Sequence, residues 1–180
     1  MKESSVPDMY DKIEGESTGI GKLLSGIPGF DGYFERGRRR EADQILRETI
    51  ASRLESSRTQ LASVHQELSR DIVKAMDFAE SLGRADTRLM GLIGKVNSAP
   101  QGYAGFFDAV KVKEEDLARV YAFDESMLAF VVDVDVEVSA IEKAATQDGD
   151  IAGAIRELDS TLREANAAFD SRTEILSGVA

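Results

Sequence analysis

Apolar residues three and four positions apart run through most of this 180-residue chain, and that spacing leaves little room for anything but helices. Ala42, Ile45, Leu46, Ile50 and Leu54 share one face, continued by Leu61, Val64, Leu68, Ile72, Ala75, Ala79 and Leu82. The row predicts an amphipathic helix from near Glu35. Ser56, Ser57 and Arg58 interrupt it, so a bend or break is expected there. Gly83 is the expected stop and Asp86 stands near the next start. Leu89, Leu92, Ile93 and Val96 then make a shorter helix ending before Pro100.

A second set follows. Lys113-Glu114-Glu115-Asp116 puts acids where a helix start favours them. Leu117, Val120, Tyr121, Asp124, Leu128, Val131, Val134 or Asp135, Val138, Ile141 and Ala145 form the next stripe. Within it, residues 132–138 alternate valine with acid, which is a strand pattern of β-branched residues. Helix is preferred because the stripe continues on both sides and no partner strand is visible. Asp148-Gly149-Asp150 reads as a C′ glycine followed by an N-cap. Ile151, Ile155, Leu158, Leu162, Ala165, Phe169 and Ile175 or Leu176 form the last helix.

The fold class is therefore all-α: an elongated antiparallel helical bundle of about four main helices plus a short N-terminal helix. That short helix would hold Ile20, Leu23 and Leu24, capped by Ser17 or Thr18 and stopped by Gly26-Ile27-Pro28-Gly29. Residues 1–16, polar and glycine-interrupted, read as a flexible N-terminal segment, and 17–180 as one helical-bundle domain.

Two junctions between these stripes share a pattern. Gly29-Phe30-Asp31-Gly32-Tyr33-Phe34 and Gly102-Tyr103-Ala104-Gly105-Phe106-Phe107 both read Gly-aromatic-x-Gly-aromatic-Phe, each just after a proline. Half of the aromatic residues, which are eight Phe and four Tyr in all, sit in these hexapeptides. Paired glycines permit a sharp turn, and the aromatics supply apolar area to fix it. Glu41 and Asp43 stand at the same offset from the first as Glu114 and Asp116 from the second. Two successive units result, each a turn, a long helix, a break and another helix. True duplication and chance recurrence of turn chemistry both remain open.

Arg36, Arg38, Arg39 and Arg40 follow the first hexapeptide. Cations at a helix start oppose its dipole, at roughly 0.3–1 kcal/mol per badly placed charge. Pairs such as Arg39 with Asp43 offset part of this, as a solvated face would. The alternative is a patch for an anionic partner beside an aromatic turn, made of Phe30, Tyr33, Arg36, Arg38, Arg39, Arg40, Tyr103 and Phe106.

Catalytic and metal-binding patterns fail on inspection. The string from Gly15 to Lys22 is similar to a phosphate-binding loop, but it has one residue too many before Gly21. Leu23 also stands where Ser or Thr would hold magnesium. The segment from Asp148 begins like a calcium loop, yet Ala152 and Asp159 occupy two ligand positions. Cysteine is absent, and His65 is the single histidine, with no Glu-x-x-His motif. Asp133, Asp135 and Glu137 spread around their helix. No cofactor or metal and no enzymatic activity is expected. A net charge of −11 argues against nucleic acid, and no apolar run is long enough to span a membrane.

Ile27-Pro28-Gly29-Phe30-Asp31-Gly32-Tyr33, Arg38-Arg39-Arg40-Glu41-Ala42-Asp43 and Gly102-Tyr103-Ala104-Gly105-Phe106-Phe107-Asp108 resemble an uncharacterised group of prokaryotic all-helical proteins. The likeness would run from residue 17 onward. It implies a helical fold and carries no assigned activity or site.

The expectation is an acidic, cytoplasmic, non-enzymatic interaction or scaffold protein, docking a protein partner through helix faces and the aromatic-arginine end. Wide apolar stripes also complete their burial by self-association in the manner of coiled coils. The alternatives are a small-ligand or metal-binding regulator with its pocket near Asp133 and Asp135, and a peripheral protein on an anionic membrane surface.

Overall fold

The computed structural model describes the backbone of residues 39–99 and 114–171, and the side chains of residues 44–99 and 122–171. Helix accounts for 92% of the described residues, with no strand among them. The helices are α1 (Arg39–Leu68), α2 (Ile72–Ser98), α3 (Glu114–Thr146) and α4 (Ile151–Asp170). None of them is long and apolar enough to cross a membrane. The expected all-α bundle of four main helices is observed. The short N-terminal helix and the segment 1–16 lie outside the described residues.

Each helix buries a row that alternates steps of three and four. In α1 the buried row is Leu46, Ile50, Leu54, Ser57, Leu61, Val64 and Leu68. In α4 it is Ile151, Ile155, Leu158, Leu162 and Ala165. Such rows set ridges of one helix into grooves of the next at a shallow crossing angle. All of these apolar side chains join one core. The valine-acid alternation in α3 resolves the same way: Val131, Val134 and Val138 are buried, while Val136 is 62% exposed.

The helix ends differ from expectation. α1 passes through Ser56-Ser57-Arg58 unbroken, and α2 passes through Gly83. The break falls instead at residues 69–71. Asp71 caps α2 by accepting from the Val73 and Lys74 amides at 2.9 and 3.2 Å, an arrangement that stabilises a helix by about 1 kcal/mol. Leu68 and Ile72 keep a four-residue step across this turn, which is why the apolar row shows no gap. Ile72 nevertheless points outward, 77% exposed. The two helices of the first unit are therefore nearly equal, 30 and 27 residues.

At the other turn, Asp150 is the N-cap of α4 as expected, accepting from the Gly153 amide at 2.8 Å. The left-handed residue is Asp148, at φ 50°, rather than Gly149. Gly149 donates to the Ala144 carbonyl at 2.9 Å in the bond that closes a Schellman turn. Glycine also eases the packing there, since a Cβ would stand a tight 3.1 Å from the Ala144 Cα.

The bundle places α1 beside α2 and α3, and α4 beside α2 and α3, with α1–α4 and α2–α3 on the diagonals. Contacts fix the directions. Arg58 with Asp86 and Arg47 with the Ala99 carbonyl make α1 and α2 antiparallel. Ser57 with Asp135 and Gln60 with Glu142 make α1 and α3 parallel. Arg88 with Asp159 and Lys95 with Asp170 make α2 and α4 parallel. The two helical hairpins therefore lie side by side in the same direction. Seen from the core, one turns to the left and the other to the right, so no rotation superposes them with both apolar faces inward. A duplication that keeps each hairpin's inward face does not account for the pair.

Candidate functional site

Six of the eight residues expected to bind a partner, Phe30, Tyr33, Arg36, Arg38, Tyr103 and Phe106, lie outside the described residues. Arg39 and Arg40 open α1, with only their backbone described. What the backbone establishes is their end of the bundle. α1 and α3 run parallel, so Arg39 and Glu114, the first described residues after each hexapeptide, stand at the same end.

That end is tied by contacts between helices distant in sequence. Arg47 Nη1 donates to the Ala99 carbonyl at 2.9 Å, fixing the last turn of α2 to α1. Lys95 Nζ meets Asp170 Oδ1 at 2.7 Å. Phe123 and Phe169 pack edge to face with ring centroids 6.1 Å apart, an arrangement favoured by the ring quadrupoles. Phe123 was not part of the stripe read from the sequence. Its neighbours Asp124 and Met127 share its buried side of α3.

Polar groups on the helix flanks join neighbouring helices. The buried Ser57 hydroxyl donates to Asp135, which also faces Arg53 across 3.5 Å. Thr161 donates to Glu137 Oε1 at 2.7 Å from α4. Burial raises the Glu137 carboxyl above the ordinary glutamate range, and the charges of Asp133, Glu157 and Glu164 add to this, while the Thr161 bond opposes it. Arg88 and Asp159 form a further ion pair between α2 and α4. Asp135 is thus engaged by α1 while Asp133 is exposed, and the two do not converge on a common pocket. Among the described residues, no group of three or more His, Asp or Glu side chains could hold a metal ion.

The outer side of the α1–α2 hairpin carries an open groove of about 750 Å³. Leu61, Leu82 and Ile93 form its floor, and Met90, 49% exposed, stands on its rim. Arg58 crosses it to Asp86 with two hydrogen bonds, Nε to Oδ1 at 2.7 Å and Nη2 to Oδ2 at 3.2 Å. That bond and the carboxylate charge hold the guanidinium protonated more firmly than usual. His65 lines the groove near the turn. The Ser69 hydroxyl donates to the His65 backbone carbonyl at 2.7 Å. Sequence patterning gave no sign of this groove, because its floor residues belong to the core rows.

Compared with known protein families, curated proteins and solved structures, the chain matches none of them.

Proposed function

We propose that the chain is a non-enzymatic, cytoplasmic interaction protein whose four-helix bundle holds a protein partner at the end where α1 and α3 begin. The observation that carries this is the parallel placement of α1 and α3. It brings the backbone of Arg39 and Arg40 and the start of α3 to one end of the bundle, each following an aromatic-glycine hexapeptide in sequence. An apolar anchor ringed by cations is a common form of binding hot spot. The net charge of −11 favours solubility and disfavours nucleic acid.

The test is a triple variant, Phe30→Ala with Arg38→Ala and Arg39→Ala. Its melting temperature should stay almost unchanged while capture of the wild-type chain's partners weakens. Loss of folding, with capture by the remaining folded fraction intact, would make these residues structural and defeat the proposal.

A further inference from the structure

The geometry points to a second copy of this chain as the occupant of the outer face of α2, in an antiparallel two-fold dimer. This deepens the interaction-protein proposal by naming one partner, and it uses the helix faces rather than the aromatic-arginine end.

The first observation is an apolar projection. Ile72 and Met76, at the start of α2, are 77% and 81% exposed, in the company of exposed Val73. The second is a concavity further along the same hairpin, the groove floored by Leu61, Leu82 and Ile93 with Met90 on its rim. Counted at about 100° per residue, Ile72, Met76, Gly83, Met90 and Gly94 fall within about 40° of one another, on one stripe of α2. Projection and groove thus share a face, with Met76 and Met90 about 21 Å apart along the helix.

Gly83 is the midpoint of this stripe. Met76 and Met90 lie seven residues to either side of it, and Ile72 and Gly94 eleven. A two-fold axis crossing α2 at Gly83 therefore sets Met76 of each copy against Met90 of the other, and Ile72 beside Gly94. Each copy gives one projection and one groove, so the contact is satisfied twice and closes, as a two-fold interface must. A Cβ at Gly83 would meet nothing within 4 Å inside the chain, so the backbone is open to close approach at the crossing.

Local charge permits the same occupant, while the net charge of −11 on each copy opposes association at long range. The groove's charged lining is Glu55, Arg58 and Asp86, with Arg58 and Asp86 already paired. Two copies can meet there without stacking acid on acid. From Ile72 to Gly94 and across both helices, the face measures roughly 650 Å², a little under the ~800 Å² per partner of a standard interface. Area alone does not set affinity, so association has to be followed over a wide concentration range.

Sedimentation velocity of the purified full chain should show a dimer that builds up to about 200 µM. Met76→Asp combined with Met90→Asp should weaken it at least about tenfold. Because the chain has no cysteine, Gly83→Cys provides a second readout that does not depend on that variant folding. Under mild oxidation it should form a disulfide-linked dimer at least about tenfold faster than Gly91→Cys, which faces open space about 80° away from Gly83 around α2. A chain that stays monomeric, a dimer indifferent to the double aspartate, or equal linking at both cysteines would overturn the assignment. If residues 1–38 of the same chain cover the face instead, the chain stays monomeric and Gly83→Cys does not link. The purified chain alone decides this question, so its failure leaves partner capture at the other end standing, and the reverse also holds.

Discussion

Ser57 occupies a core position in α1, only 2% exposed, where the row of Leu54, Leu61 and Val64 would call for leucine. It is accommodated because its single hydroxyl proton has two acceptors within reach, Asp135 of α3 and the Arg53 carbonyl one turn back. Removing the hydroxyl forfeits a hydrogen bond to a charged acceptor, worth about 1.5–3 kcal/mol when fully buried. Asp135 is 33% exposed, so water replaces part of the bond and about 1 kcal/mol is the expected coupling. Alanine also gains roughly 0.5 kcal/mol in helix propensity over serine, which partly masks the loss in the single variant. A double-mutant cycle with Ser57→Ala and Asp135→Ala cancels that propensity term. Urea unfolding followed by circular dichroism, at constant m-value, supplies the four free energies. Coupling near 1 kcal/mol is predicted. Coupling under about 0.3 kcal/mol, the ordinary error of additivity, would mean that α1 and α3 do not meet in this register.

Other outcomes follow from the same contacts. Gly91→Ala, with open space at its Cβ, should raise stability by about 1 kcal/mol. Gly153→Ala should fail to gain, since the new Cβ would crowd the Asp150 carboxylate that caps α4, and should gain normally once Asp150→Ala has removed the cap; melting temperatures of the three variants check both. Glu137 has a carboxyl raised in the folded state, so its contribution is most favourable below the unfolded value of about 4.3 and is lost as pH rises through the raised folded value. Glu137→Gln should therefore be the more stable form at pH 7 and flatten this pH dependence in urea titrations; a less stable variant at pH 7 would refute it. Asp71→Ala should cost about 1 kcal/mol and fray the start of α2 in hydrogen exchange. Purified chain should hydrolyse no ATP; hydrolysis abolished by Lys22→Ala would restore the phosphate-loop reading.

The fold was legible because the core rows are nearly pure in type. Ile151 to Ala165, and Val131 to Ile141, need only their three-four spacing to be read. The helix ends were less so. A serine at Ser57 and a glycine at Gly83 look like interruptions when burial is unknown. A real turn at residues 69–71 hides because Leu68 and Ile72 keep helical spacing across it. Asp71 carried the missing signal, as a capping residue three positions before Lys74. Polar partners such as Asp135 for Ser57 depend on the lateral order of helices, which periodicity does not encode. The groove was invisible for the same reason, since Leu61 and Leu82 line one surface only when α1 and α2 fold back on one another.

The central claim is that α1 and α3, each following an aromatic-glycine segment in sequence, begin at one end of the bundle. Spin labels on cysteines introduced at exposed Gln44 and Ala122, near the starts of α1 and α3, test it directly in this cysteine-free chain. Dipolar spectroscopy should give a short separation for that pair, below about 25 Å including the label arms. Labels at Gln44 and exposed Lys143 should stand about 32 Å further along the bundle axis. A long Gln44–Ala122 distance with a short Gln44–Lys143 distance would place the starts of α1 and α3 at opposite ends and contradict the account.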